Sequence, residues 1–91
     1  MRNIVISLGG SILIPKLEQN RISRYVPVLK AIAEQHRLFV VVGGGGAARD
    51  YIEAARKLGV DEATSDEIGI LVTRLNATLL IAALGLSLIH I

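Results

Sequence analysis

Leu38–Gly46 reads LFVVVGGGG, and this stretch decides the fold class. Its five apolar residues, rich in β-branched valine, are typical of a strand that is covered on both faces in a parallel sheet. The glycines end the strand, and a pattern of helical spacing begins directly after them. A strand that leads through a short turn into a helix is the repeating unit of an α/β fold.

The flanking sequence supplies the other elements of such a fold. Residues 38–42 of the quoted stretch are one predicted strand. Residues 3–8 are another, and glycines follow it as well. Apolar residues at helical spacing predict helices at about residues 21–36, 46–58 and 66–84. The order strand, helix, strand, helix, helix predicts a βαβ unit with parallel strands, which is right-handed in nearly all known cases. Two strands make a small sheet, so we expect these elements to be part of a larger α/β domain.

Several helix ends can be predicted from individual residues. Pro27 is expected in or near the first turn of its helix, since proline is costly in a helix interior. Gly59 has the position of a C-cap glycine. Thr64 and Glu67 are spaced as a capping box that opens the last helix, which would place Asp66 in its first turn. The apolar stripe predicted for that helix consists of Ile68, Leu71, Val72, Leu75, Leu79 and Leu80.

Composition narrows the range of functions. The chain has 91 residues and a net charge of +2 with mixed signs, so we expect at most one domain and no nucleic-acid partner. It has no cysteine, which excludes disulfides and thiolate chemistry, and neither His36 nor His90 has a plausible metal partner. The apolar run 79–91 is shorter than the roughly 20 residues of a membrane span. We therefore predict a cytoplasmic protein without protein-bound metal.

The two glycine turns predict an anion site. Ligands of open parallel sheets bind beyond the carboxyl ends of the strands, where Gly9-Gly10-Ser11 and Gly43–Gly46 would lie side by side. Glycine allows backbone N–H groups to approach a phosphate closely, and the second turn also opens a helix. Arg49 is expected in the first turn of that helix, where a bound anion would explain a cation. Each feature also has a competing structural explanation. The glycines would then simply form a turn, Arg49 would be a solvated charge, and Asp66 would be an acid that favours a helix start.

Two familiar phosphate motifs fit poorly. The P-loop pattern is absent from the chain. Gly43, Gly45 and Ala48 fit the dinucleotide pattern G-x-G-x-x-A, but that pattern needs an acidic residue at the end of a following strand, and residues 58–62 predict no strand. A dinucleotide site is therefore the weaker alternative.

Five segments carry a more specific pattern: Ile6–Ser11 (ISLGGS), Val40–Gly45 (VVVGGG), Ala48–Ile52 (ARDYI), Asp66–Ile70 (DEIGI) and Thr73–Leu80 (TRLNATLL). In order and spacing they resemble the archaeal-type uridylate (UMP) kinases of the amino acid kinase superfamily, from Met1 to about Leu84. The resemblance implies a three-layer αβα sandwich that transfers the γ-phosphoryl group of ATP, with Mg²⁺, to UMP. It also implies a homo-oligomer, a hexamer in that family, that packs through the helix at 66–84.

The resemblance further implies roles for individual residues. Gly9, Gly10 and Ser11 would contact the ATP phosphates, as would Gly45 and Arg49. Gly44 would contact UMP, and Asp66 would hold the UMP ribose. Because transfer of a phosphoryl group requires mainly positioning and charge stabilisation, backbone amides and an arginine are suitable groups.

Two departures from the family pattern matter. Ser7 stands where many superfamily members have a lysine, and residues 85–91 do not continue the pattern, as a truncation or a shifted reading frame would explain. We expect residues 1–84 to be the N-terminal portion of the domain and the 91 residues alone to be inactive. Another phosphoryl acceptor (a carboxylate, a carbamate or an isoprenoid phosphate) and a non-catalytic nucleotide-binding module are the remaining alternatives.

Overall fold

The computed structural model describes residues 1–85, which form a parallel two-stranded sheet packed against helices. The predicted α/β class and the parallel pairing are confirmed. The elements are β1 (Asn3–Leu8), α1 (Gly10–Leu13), a single 3₁₀ turn (Leu17–Gln19), α2 (Ile22–Gln35), β2 (Arg37–Val42), α3 (Gly45–Lys57) and α4 (Glu62–Leu84). The bounds of the predicted strands and helices are correct to within one residue, except for the start of α4, and neither α1, predicted as a loop, nor the 3₁₀ turn was predicted.

The register of the sheet brings the two glycine turns together. Asn3 pairs with Arg37 and Leu8 pairs with Val42, so both strands end at the same edge. The N–H of Gly43 continues the ladder by donating to the carbonyl of Leu8 at 3.3 Å. The residues that follow β1 and β2 therefore start side by side, as the sequence predicts.

Helices cover one face of the sheet. Side chains alternate along both strands, and those on the covered face pack with α2 and the C-terminal part of α4 into one aliphatic core, formed by Leu8, Leu13, Ile14, Ile22, Leu29, Val42, Leu80 and Leu84. The other face carries Val5, Phe39 and Val41, which stay exposed. The expectation that β2 is covered on both faces is therefore wrong for residues 1–85. The three-layer sandwich remains a prediction, because it needs helices over that second face.

Pro27 lies deeper in helix α2 than the sequence predicts. The N–H of Ile22 donates to the side-chain carbonyl of Asn20 at 3.3 Å, which fixes the start of the helix. Pro27 therefore lies in the second turn, inside the helix, rather than in the first. Proline lacks the N–H that would bond to the carbonyl of Ser23, so α2 is short of one backbone hydrogen bond at this point.

Helix α4 begins one turn earlier than predicted because a different residue caps it. The carboxylate of Asp61 accepts hydrogen bonds from the backbone N–H of Thr64 at 2.9 Å and from its hydroxyl at 2.8 Å. These hydrogen bonds hold the pKa of Asp61 below its usual range. Thr64 is thus the capped residue rather than the cap, and Asp66 lies in the second turn of the helix.

The cap predicts a pH-dependent contribution to stability. A lowered pKa in the folded state stabilises the protein fully above the pKa of an unfolded aspartate, about 3.9, and that contribution disappears as the pH falls through the folded-state pKa. We expect Asp61→Ala to lower the melting temperature at neutral pH, since it removes the acceptor for Thr64. Asp61→Asn keeps an acceptor for the N–H of Thr64, so its melting temperature should be close to that of the unmutated protein. Circular dichroism melts at neutral and acidic pH check this, and an equal loss in both variants would contradict it.

The buried face of α4 differs from the predicted stripe. The residues that face the rest of the chain are Ser65, Gly69, Val72, Asn76, Leu80 and Leu84. Leu71, Leu75 and Leu79, which the sequence places on the stripe, are 60%, 68% and 39% exposed. The helix is apolar on nearly all sides, so periodicity does not identify the packed face. By length and composition alone α4 is also long and apolar enough to cross a membrane, a test that core helices of soluble proteins pass as well.

Candidate functional site

The two glycine turns pack directly against each other. A Cβ added to Gly10 would overlap the backbone nitrogen of Gly45 and come within 2.7 Å of its Cα. A Cβ added to Gly43 would lie 2.7 Å from the nitrogen of Gly10. Only residues without a side chain allow this approach. The site is therefore built around a backbone-to-backbone contact between the end of β1 and the end of β2.

A short helix, α1, holds the first turn in place. The carbonyls at its start accept backbone hydrogen bonds: the N–H of Ile12 donates to the carbonyl of Gly9 at 2.9 Å, and the N–H of Ile14 donates to that of Gly10 at 2.8 Å. Leu13 and Ile14 are fully buried and anchor this segment in the core. The sequence indicates only a loop here, because four residues that begin with glycine carry no helical pattern.

Packing accounts for the glycines of the second turn without any ligand. A Cβ at Gly44 would overlap the Cβ of Ala48, and one at Gly46 would overlap the carbonyl of Pro15. Gly45 has a φ of +63°, a left-handed conformation that side chains disfavour. The glycine run is therefore required by the fold, and its predicted role in binding anions rests on the groups that it presents.

Those groups are backbone amides. Within residues 1–85, the N–H groups of Gly10, Ser11, Gly44, Gly45 and Gly46 donate to no backbone or side-chain acceptor. Amides at the start of a helix usually lack an intrahelical partner, and here two such starts, those of α1 and α3, adjoin each other. The arrangement can take an anion, because several N–H donors and the positive end of the 13-residue helix α3 meet at the same place.

Arg49 connects the two turns. Its guanidinium donates from Nη1 to the hydroxyl oxygen of Ser11 at 3.1 Å. The sequence predicts Arg49 in the first turn of α3. The helix starts at Gly45, so Arg49 lies in the second turn instead. Both side chains are exposed. Two predicted phosphate-binding residues that are 38 positions apart in sequence thus meet at one point.

An open cleft of about 360 Å³ lies between α3 and α4 and contains the predicted acceptor residues. Its lining includes Gly44, Gly45 and Arg49 on one side and Asp66 and Thr73 on the other. Asp66 is exposed and is not in the first turn of α4. Interaction with a helix dipole fades beyond the first turn, so this structural explanation for an acid at position 66 loses strength.

The floor of the cleft depends on a close approach of the two helices. Gly69 faces Ile52, and an added Cβ would lie 2.7 Å from Ile52 Cδ1.

Beyond the cleft, two hydrogen bonds join Arg56 to Glu62. They run from Nε to Oε1 at 3.0 Å and from Nη2 to Oε2 at 3.1 Å. These hydrogen bonds, with a smaller contribution from Asp66, raise the pKa of Arg56. Glu53 and Lys57 form the predicted ion pair on the outer surface of α3, at 3.2 Å.

Sequence reasoning missed the role of Asn76. Its side-chain nitrogen donates to the carbonyl of Gly43 at 3.1 Å and to that of Gly44 at 3.0 Å. The residue is 3% exposed. A signal was present in the sequence, because Val72, Asn76 and Leu80 follow each other at intervals of four, which makes Asn76 a polar residue on the buried side of a helix.

Comparisons with known proteins identify related sequences and a related fold. The model of the amino acid kinase family matches residues 2–90. A uridylate kinase of Methanoregula boonei is 80% identical over 85 residues, which are 93% of this chain and 36% of the relative. A uridylate kinase of Methanoculleus marisnigri is 67% identical over the same length. The chain thus spans 36% of the length of these curated relatives.

A solved structure gives the same result for the fold. The crystal structure of uridylate kinase from Archaeoglobus fulgidus superimposes with a TM-score of 0.79 at 49% sequence identity. The match covers 91% of this chain and 37% of that one.

Proposed function

The chain belongs to the amino acid kinase family, and we propose that it supplies the glycine turns and part of the acceptor site of a uridylate kinase. The reaction is the transfer of the γ-phosphoryl group of ATP to UMP, giving UDP. The observation that carries the proposal is that Arg49 bonds to Ser11 beside the glycine turns and lines one cleft with Asp66, in a chain 80% identical to a uridylate kinase.

Transfer of the phosphoryl group places negative charge on the oxygens around phosphorus. The bond from the γ-phosphorus to the β–γ bridging oxygen breaks, and a bond to an oxygen of the UMP phosphate forms. Backbone amides of Gly10, Ser11 and Gly45 donate to the ATP phosphates, and the Arg49 guanidinium stabilises the charge on the transferring group. Mg²⁺ arrives with ATP, held by its phosphates. Residues 1–85 contain no group of three His, Asp or Glu side chains that would hold a metal.

The acceptor lies on the α4 side of the cleft in this proposal. The Gly44 amide meets the UMP phosphate, and the Asp66 carboxylate accepts hydrogen bonds from the ribose hydroxyls. The two residues line the same cleft from opposite helices, as a nucleotide that lies across it requires. Donor and acceptor would then meet near Arg49, where the two turns are joined by its hydrogen bond to Ser11.

The proposal extends to assembly and location. The exposed leucines of α4, Leu71, Leu75 and Leu79, form an apolar surface of the kind that subunits bury against each other. We assign this surface to a homo-oligomeric contact in a cytoplasmic enzyme. Sedimentation of the protein with and without Leu75→Glu measures it directly. An unchanged oligomeric state would remove α4 from the contact.

The activity is tested in a chimeric kinase. In it, residues 1–85 of this chain replace the aligned segment of the Methanoregula boonei uridylate kinase. We expect the chimera to form UDP from ATP and UMP, and not to phosphorylate carboxylate, carbamate or isoprenoid phosphate acceptors. ATP binding without turnover on any acceptor would favour the nucleotide-binding module, and turnover on another acceptor would replace UMP in the proposal.

A substitution at Asp66 tests the acceptor role within this chain. Loss of hydrogen bonds to a charged acceptor costs roughly 1.5–3 kcal/mol, so Asp66→Ala should raise the KM for UMP by about 10- to 150-fold and leave the KM for ATP nearly unchanged. Steady-state kinetics of the chimera with each substrate varied measure both. Glu67→Ala is the matched control, as the next acid on the exposed side of the helix. Equal KM values for UMP in the two variants would show that Asp66 does not touch the ribose.

A further inference from the structure

Asn76 holds the turn that presents two of the predicted phosphate-binding amides. Its side-chain NH₂ group has two hydrogens, and it donates to two successive carbonyls, those of Gly43 and Gly44. The carbonyl of Gly44 also accepts from the N–H of Ala48 at 3.2 Å, which is the first hydrogen bond of α3. One buried side chain on α4 thus ties the end of β2 to the start of α3.

The contact fixes the direction of the next two N–H groups. A trans peptide unit is planar, and its N–H points away from its C=O. Since the carbonyls of Gly43 and Gly44 point to Asn76, the N–H groups of Gly44 and Gly45 point away from it. The nitrogen of Gly45 in fact lies on the side of the first glycine turn, where a Cβ added to Gly10 would overlap it. Neither amide has an acceptor within residues 1–85.

We propose that Asn76 is a positioning residue, which orients the amides of Gly44 and Gly45 towards the phosphates that are exchanged. A run of glycines has no side chains to restrict its backbone, so its peptide planes need an external anchor. Asn76 meets this need from a helix whose packing is set elsewhere, by Gly69 and Leu80. The inference rests on the proposed function for the identity of the acceptor, but not for the binding of ATP phosphates.

The kinetic test compares variants of the chimeric kinase. Asn76→Ala removes both donated hydrogen bonds. Asn76→Asp keeps the size and shape of the side chain but places a carboxylate oxygen against the carbonyl oxygens of Gly43 and Gly44. Because misplacement by about 1 Å can cost about 100-fold in rate, we expect kcat to fall about 100-fold in Asn76→Ala and further in Asn76→Asp. The KM values should change far less. Ser65→Ala is the matched control, as it removes a fully buried polar group from the same helix, one that bonds to the carbonyl of Asp61 far from the turn.

A second readout does not depend on the acceptor. Binding of ATP should shift the NMR signal of the Gly45 amide in the unmutated chimera and in Ser65→Ala, but not in Asn76→Ala. If the unmutated chimera fails to phosphorylate UMP, the proposed function fails and these shifts still decide the role of Asn76. An ATP-induced shift in Asn76→Ala as large as that in the unmutated chimera, or a kcat per folded molecule equal to that of Ser65→Ala, would overturn the inference.

Discussion

Gly10→Ala should abolish activity in the chimeric kinase and sharply reduce the yield of folded protein. The added Cβ would overlap the backbone nitrogen of Gly45 and crowd the carbonyl carbon of Gly43 at 2.8 Å. Backbone atoms cannot turn aside as a flexible side chain does, so the two glycine turns must move apart. Forcing extra atoms into a packed site typically costs about 1–3 kcal/mol, and here the displaced atoms belong to the site itself. Thermal melts and UDP formation measure the two losses.

Gly9→Ala is the matched control for this prediction, and it isolates the contact with phosphate. Among the described residues, a Cβ at Gly9 would have only the Cδ1 of Ile12 nearby, at 3.8 Å, and the φ of −55° and ψ of 139° suit alanine. We expect an unchanged melting temperature. A fall in turnover with intact stability would mean that the backbone at Gly9 lies close to the ATP phosphates. Full activity would limit the phosphate contact to the following residues, and full activity of Gly10→Ala would contradict the packing argument.

The same contacts explain why a bulky substitution at Gly44 is a poor test. Gly44→Val would abolish turnover on the phosphate-binding hypothesis, but its Cβ would also overlap that of Ala48. Loss of activity would therefore follow from packing alone. The sequence predicts that glycines are needed in this turn, and only the structure separates the glycines required by the fold from Gly9, where a side chain has space.

Much of the fold is predictable from sequence because the signals are strong and local. β-Branched runs that end in glycine predict both strands within one residue, and parallel pairing then brings Gly10 next to Gly45. The helical spacing of apolar residues likewise predicts α2, in which Ile22 and Leu29 are buried two turns apart on one face.

The missed features depend on contacts that are distant in sequence. Helix α4 is so apolar that its spacing does not show which side packs, and the packed side uses Gly69 and Asn76 rather than Leu75. The glycine is there because α3 approaches closely, and the asparagine is there because two carbonyls of the turn need a donor. Neither reason can be found from the sequence of α4 alone, because one depends on α3 and the other on the second glycine turn. Helix α1 was missed for a related cause, since burial of Leu13 and Ile14 holds it rather than helical propensity.

Arg49→Ala should lower kcat of the chimeric kinase by about 100- to 1,000-fold, the usual effect of removing a donor to developing charge. The guanidinium reaches Ser11 across the junction of the two turns, so it lies where the transferring phosphoryl group must pass in the proposed reaction. Arg49→Lys keeps the charge but loses the planar fork, and should recover only part of the rate. Stability should change little, because Arg49 is exposed and, within residues 1–85, its side chain bonds only to an exposed serine. Steady-state kinetics with a parallel thermal melt give both quantities.

Arg56→Ala separates this effect from a general loss of positive charge on α3. Arg56 lies seven residues further along the same helix, two turns away, and its guanidinium is paired with Glu62. Its removal changes the net charge by the same amount and breaks a contact between α3 and α4, so we expect a lower melting temperature with kcat unchanged. If both arginine variants lose rate equally, the field of the helix surface rather than a contact by Arg49 explains the result. If Arg49→Ala loses only stability, Arg49 serves to join the turns through Ser11 and takes no part in the transfer.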